Sequence, residues 1–375
     1  MADKKKKKQN PAMIIHMVIS MIFGAFLGGY IAGKFLKPSD SSENQPDFLV
    51  GFIILLISIY ALSFLFIIIH EAGHLVMGLL TGYKYLSFRV GSIVLQKTEQ
   101  GLKFKKYSIA GTGGQCLMVP PDMENPEDVP YFWYNFGGGL FNLLTAVLCV
   151  PFLFIDNSIV RVVFITAIFL SVFTGLTNLI PLNMGVPNDG MNILAMAKSP
   201  YARGVFYKQF KANAMQTDGV RLKDMPERLF EYDENQKDCI SVAMPAFAAA
   251  RLMDEMKFAE AEMIFEKSLE NPKLPKFYVN EYNCEMLFCK IVNGVDKVAI
   301  DEIYDKELQK YVKATGKTMI TRRKLMYAYY LICEKNAELA EKEYQLAYKM
   351  EKNYPNVGEA KSELEMIEYV KANFS

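Results

Sequence analysis

The sequence predicts an α-helical integral membrane protein. It has about four membrane-spanning helices, a small β-hairpin insert and a soluble all-α, helical-repeat-like domain. Three observations predict this. Stretches long and apolar enough to span a bilayer occur four times before residue 200 and not after it. A short segment between the second and third stretches is rich in β-branched and aromatic residues. Beyond residue 200 the chain has the charge density and periodicity of amphipathic helices. The averages over 375 residues, 51% hydrophobic and 22% charged, conceal this division.

Residues 1–12 form a basic tail with lysines at every position from Lys4 to Lys8. Such a cluster either sets topology or sits on anionic lipid. The first predicted span, residues 13–36, is long enough to cross a bilayer, which takes about 20 helical residues. Its length and the following Lys34 and Lys37 mark a retained helix rather than a cleaved signal. The second span starts at Phe48 with 22 uncharged residues to Ile69, then continues through His-Glu-Ala-Gly-His to about Leu80. The third runs from Tyr131 to Phe154 and the fourth from Ile159 to Ile180, where Pro181 ends it. With the Lys4–Lys8 cluster inside, alternating spans leave the basic segment Lys84–Lys106 inside as well, as the positive-inside rule requires. Both termini are therefore expected in the cytoplasm.

Tyr83–Leu95 and Lys103–Ile109 flank a Glu-Gln-Gly turn and predict a short hairpin or small sheet. Its stretch Tyr85–Leu95 is expected to offer a strand for pairing with an unwound peptide. Ala110–Gln115 is glycine-rich but lacks the lysine and the strand–loop–helix context of a phosphate loop, so it reads as a turn. The chain thus divides into the tail, the first span, a core over 48–199 and a helical domain over 200–375. Within the latter, Phe258, Ala261, Phe265 and Ser268, followed by Pro272, have the spacing of a tetratricopeptide-like repeat. Ala340, Tyr344 and Ala347 before Pro355 echo it. Such repeats present concave faces, so a protein partner is expected there.

The net charge of +1 gives no electrostatic case for binding nucleic acid. None of the six cysteines forms a C-x-x-C pair, which removes a cysteine zinc site. Two of the three histidines, His70 and His74, bracket Glu71 in one five-residue motif. On a helix, residues four apart share a face one turn apart. Both imidazoles can then reach one Zn²⁺ at about 2.0–2.1 Å. Glu71 beside the metal can take a proton from the attacking water and pass it to the leaving amine. An ionisable group in a spanning helix costs roughly 2.5–3.5 kcal/mol at the centre, so three within five residues call for a compensating partner. A third ligand must come from elsewhere. His16 lies near the start of the first span; Asp189, in Pro-Asn-Asp-Gly after the fourth, reads equally as a turn or N-cap residue.

His70-Glu71-Ala72-Gly73-His74, Gly138-Gly139-Leu140-Phe141-Asn142, and Asn178-Leu179-Ile180-Pro181 with Asp189-Gly190 together resemble the site-2 protease family of intramembrane zinc metalloproteases. The resemblance covers residues 48–197. It implies zinc on His70, His74 and Asp189, and Glu71 as general base. It also implies Asn142 positioning substrate or the developing oxyanion, and Asn178 with Pro181 shaping the site. Substrates would be single-pass membrane proteins or remnant signal peptides, in a multi-pass protein of a bacterial cell membrane. The sequence departs from the family's pattern at Gly139, often a proline, and at Asn188, where an apolar residue usually precedes the aspartate. A membrane-anchored pseudoprotease or scaffold, binding a partner through the helical domain, is the alternative. Retention of Glu71 speaks for catalysis, because a structural zinc site has no use for a base.

Overall fold

The computed structural model describes residues 48–98, 101–107, 112–182, 187–272 and 274–374, with scattered positions between 14 and 29. The first predicted span and His16 thus lie largely or wholly outside the described residues. The chain forms two compact units: residues 1–81 with 130–194, and 82–129 with 195–375. The sequence placed its boundary at 199/200; by compactness the sheet groups with the C-terminal helices.

Among the described residues of the first unit three long helices pack together: α1 (Phe48–Leu80), α2 (Tyr131–Cys149) and α3 (Ser158–Leu179). Each is long and apolar enough to cross a membrane. A 3₁₀ turn (Val150–Phe154) extends α2, and the side chain of Asn157 caps α3 by accepting from the amides of Ile159 and Val160. The distribution of polarity is the inverse of a water-soluble protein. Leu56, Ile57, Tyr60, Phe64, Val147 and Leu148 are exposed, whereas Ser58, Glu71, His74, Asn135, Asn142, Thr166 and Ser171 are buried. Apolar side chains facing outward suit hydrocarbon, and polar ones facing inward find partners there.

Lipid supplies no hydrophobic drive between helices, so close packing through small residues has to hold them together. Gly73 of α1 lies directly against Gly137 of α2. A Cβ on Gly73 would fall 2.2 Å from the Gly137 carbonyl oxygen, and one on Gly137 would fall 2.4 Å from that of Gly73. Further along, Phe66, Ala167 and Leu170 form an apolar cluster between α1 and α3. Helix α3 ends at Leu179, ahead of Pro181, and a short helix α4 (Asp189–Lys198) follows.

The second unit contains a four-stranded antiparallel sheet rather than a hairpin. Its strands are β1 (Lys84–Val90), β2 (Ile93–Thr98), β3 (Gly101–Lys106) and β4 (Gly114–Val119), in the order β3-β2-β1-β4. The fourth strand takes up the end of the stretch read as a turn. Its pairing with β1 joins residues roughly thirty apart, which local alternation cannot reveal. The expectation for Tyr85–Leu95 is corrected by this order: β1 and β2 are both internal, so the sheet's open edges belong to β3 and β4.

Among the described residues the unit has nine further α-helices: α5 (Pro200–Thr217), α6 (Met244–Asp254), α7 (Phe258–Leu269), α8 (Lys276–Val292), α9 (Lys297–Ile303), α10 (Lys306–Thr315), α11 (Ile320–Ala328), α12 (Ala337–Glu351) and α13 (Val357–Phe374). Phe258, Ala261 and Phe265 are buried, as their spacing predicted, while Ser268 is half-buried and bonds back to the Ile264 carbonyl. The helix lengths from α6 onward, between 7 and 18 residues, follow no constant period. Two chain-distant bonds pin the sheet: Gln96 donates to the Pro355 carbonyl (2.7 Å) and Lys105 to that of Tyr354 (2.8 Å). Arg322 and Lys324 are wholly buried and held by carboxylates. Arg322 meets Glu281 and Glu285; Lys324 meets Glu285 and Glu363, each at 2.9 Å.

Candidate metal centre

The helical period of α1 puts His70 and His74 on one face, with their Nε2 atoms 3.1 Å apart. Asp189, the first residue of α4, brings Oδ2 to 3.0 Å from His70 Nε2 and 3.4 Å from His74 Nε2. A tetrahedral zinc ion with bonds of about 2.0–2.1 Å needs ligand atoms about 3.3–3.4 Å apart. The three donor atoms already form nearly that triangle, and these residues are grouped so that they could hold one metal ion. Burial by itself would push the Asp189 carboxyl up, but His74 and His70 outweigh it and hold it below the usual carboxylate range. At the start of a helix the backbone amides also favour its negative charge.

The opposite wall of this triangle is Gly138. A Cβ there would fall 2.5 Å from His74 Nε2 and 2.7 Å from His70 Nε2, so only glycine leaves room for both rings. The second ring nitrogens face polar groups of α2. His74 Nδ1 lies 2.7 Å from the Tyr134 carbonyl oxygen, and His70 Nδ1 lies 3.5 Å from the Asn142 amide. Asn142 is wholly buried. Its side-chain amide donates to the Thr174 hydroxyl (3.0 Å), and its backbone carbonyl accepts from the Ser171 hydroxyl (2.5 Å). Glu71 is buried on α1 next to His70.

The structure therefore brings together four of the residues singled out in the sequence, His70, His74, Asp189 and Asn142, with Glu71 adjacent. Asn178 is arranged differently: its amide donates to the Thr174 carbonyl one turn back on its own helix (2.9 Å). Tyr134, Ser171 and Thr174 were not anticipated, and Gly73 entered only as a member of the His-Glu-Ala-Gly-His motif. A backbone carbonyl leaves no mark in side-chain chemistry, and the serine and threonine read as ordinary residues of an apolar span. Gly73 did carry a signal, since glycine inside a spanning helix points to a close helix contact.

Residues 57–158 of the chain match the family model described as Peptidase family M50. The matched stretch contains His70, Glu71, His74, Gly138 and Asn142. It ends where α3 begins, before Thr174, Asn178 and Asp189. Neither the curated proteins nor the solved structures contain a match.

Proposed function

We propose that this protein is a zinc metallopeptidase of the site-2 protease kind, hydrolysing peptide bonds within or near membrane-spanning segments of its substrates. The observation that carries the reading is the triangle of His70 Nε2, His74 Nε2 and Asp189 Oδ2, with sides of 3.0–3.4 Å, anchored on a helix long and apolar enough to span a membrane. The M50 match over residues 57–158 supports it independently.

In this reading His70, His74 and Asp189 hold the ion. Zinc, when bound, supplies Lewis acidity towards the scissile carbonyl and acidifies water. Glu71 takes the proton from the attacking water and returns it to the departing amine nitrogen, which lets the C–N bond break without expelling an amide anion. Ligation through Nε2 leaves the proton of each imidazole on Nδ1. The Tyr134 carbonyl accepts that of His74, and the side-chain amide nitrogen of Asn142 lies 3.5 Å from Nδ1 of His70. Asn142, held by Thr174 and packed beside His70, steadies the oxyanion near the reacting carbonyl through its amide N–H. Asn178 shapes the end of α3 rather than touching the reacting atoms.

The substrates are single-pass membrane proteins or remnant signal peptides, cleaved in a bacterial cell membrane that the protein crosses several times with both termini cytoplasmic. The helical half over 200–375 would bind a protein partner that delivers or licenses the substrate. Zinc content of the detergent-purified chain, measured beside cleavage of a panel of membrane-spanning substrates, tests the reading. Glu71→Gln should keep zinc and lose cleavage. Zinc without any Glu71-dependent cleavage would instead favour the scaffold alternative.

A further inference from the structure

We infer that Asn188 is a positioning residue for the third metal ligand: its side chain clamps the broken end of α3 to the first turn of α4 and so sets Asp189 against His70 and His74. The inference rests on the zinc reading above and adds to it a residue that neither the motifs nor the family match include.

The need for a clamp arises from Pro181. In an unbroken helix the Thr177 carbonyl would accept from the amide of residue 181, but proline has no N–H to give. The Ile180 carbonyl is likewise beyond the last helical turn. Asn188 supplies both missing donors, its amide nitrogen lying 2.7 Å from the Thr177 oxygen and 2.7 Å from the Ile180 oxygen. The amide oxygen accepts at the same time from the Leu182 nitrogen (3.0 Å) and the Met191 nitrogen (2.9 Å). The second of these is an N-cap bond, because the Asn188 backbone carbonyl takes the first helical bond of α4 from Asn192 (3.0 Å). One side chain thus satisfies four backbone groups on both sides of the break.

Only a carboxamide can do this. Its NH₂ offers two donors and its oxygen two acceptor sites, whereas a carboxylate only accepts and an aliphatic side chain does neither. Asp189 follows directly, so its Cα inherits the position of the cap. Gly190 restrains it from the other side: a Cβ there would fall 2.1 Å from the Leu179 carbonyl oxygen, so this residue lies flush against the end of α3. The ligand therefore sits between two residues tied to the same helix terminus. Asn188 thereby makes four bonds across the break that the apolar residue more often found here in the resembling family could not make.

The test compares wild type, Asn188→Leu, Asn188→Asp and His74→Ala as full-length chains in detergent. Zinc affinity is measured by competition with a chromophoric chelator, and the Co²⁺-loaded proteins are read by visible absorption. Hydrogen exchange of metal-free protein is followed in peptides covering 177–194. Asn188→Leu should weaken zinc binding about 10–100-fold, alter the Co²⁺ ligand-field bands and speed exchange at Leu182 and Met191. Asn188→Asp keeps both acceptances, so it should fall between, and it decides the matter if the leucine variant does not fold. Wild-type affinity and Co²⁺ bands in both variants, or faster exchange with unchanged affinity, would overturn the proposal. Should wild type and His74→Ala bind zinc equally poorly, the zinc reading fails instead, and the exchange data still decide whether the clamp exists.

Discussion

Replacing Gly138 by alanine adds one methyl group, and two physical effects then pull in opposite directions. Helix propensity alone favours the change by about 1 kcal/mol, since glycine is a poor residue for a helix interior. Packing opposes it. The new Cβ would lie 2.5 Å from His74 Nε2, 2.6 Å from His70 Cε1 and 2.7 Å from His70 Nε2. Ordinary contact begins near 3.4 Å, so the rings or the whole of α2 must give by about 0.9 Å. Helix α2 cannot retreat freely, because Gly137 is seated on Gly73. The imidazoles must therefore move, and metal ligands tolerate only about 0.2 Å. A displacement of about 1 Å at a reacting centre costs on the order of 100-fold. Gly138→Ala is thus expected to remain helical in far-UV circular dichroism, to lose zinc, and to lose at least about 100-fold in cleavage of a membrane-spanning substrate. Gly204→Ala, whose Cβ would meet nothing closer than 3.5 Å, serves as the neutral control. A Gly138→Ala protein with wild-type zinc content and wild-type cleavage would refute the close approach of α2 to the two histidines.

Three further outcomes are expected. Thr174→Val removes the hydroxyl that Asn142 donates to at 3.0 Å; a loss of about 1 kcal/mol, or roughly fivefold in kcat/KM, should follow with zinc content unchanged. Lys324→Ala leaves the buried carboxylate of Glu285 one cation short, which should destabilise the helical half by about 1–3 kcal/mol at neutral pH, read as lost hydrogen-exchange protection over residues 276–370. Burial holds the carboxyls of Glu359 and Glu363 up, at about 7 and about 8 against an ordinary 4.5. The folded state then binds more protons than the unfolded one across that window, so their contribution is full below about pH 4.5 and is lost as pH rises to about 8. Glu285, held below its ordinary value by Lys324 and Arg322 against the cost of burial, acts in the opposite sense and only at lower pH. Protection of α13 should therefore weaken from pH 5 to pH 8, and Glu359→Gln should flatten that slope; an unchanged slope in the variant would remove Glu359 from the account.

Much of this molecule was legible one segment at a time. Helices α1 and α3 lie within a residue of where hydropathy and Pro181 placed them, while α2 ends five residues early and a 3₁₀ turn completes its stretch, because a helix in lipid is defined by its own length and polarity. The shared face of His70 and His74 follows from a period of 3.6 residues and requires no knowledge of neighbours. What depends on residues far apart in the chain needed the tertiary structure. Asp189 reads alone as a turn residue, and its approach to His70 across 119 positions is a property of how α4 docks on the end of α3. The fourth strand has the same cause: β4 exists by pairing with β1, and its own six residues, beginning Gly-Gln, carry a weak strand pattern. Asn188 shows the division within a single residue. Its sequence context identifies a helix cap, but the two carbonyls it serves on α3 are created by a proline seven residues earlier and become neighbours only when the chain folds back. Periodicity and composition are local, and they determined the spans and the His-Glu-x-x-His face. Which groups meet depends on packing between segments, and that decided the approach of Asp189 to the two histidines, the glycine wall and the four bonds of the Asn188 side chain.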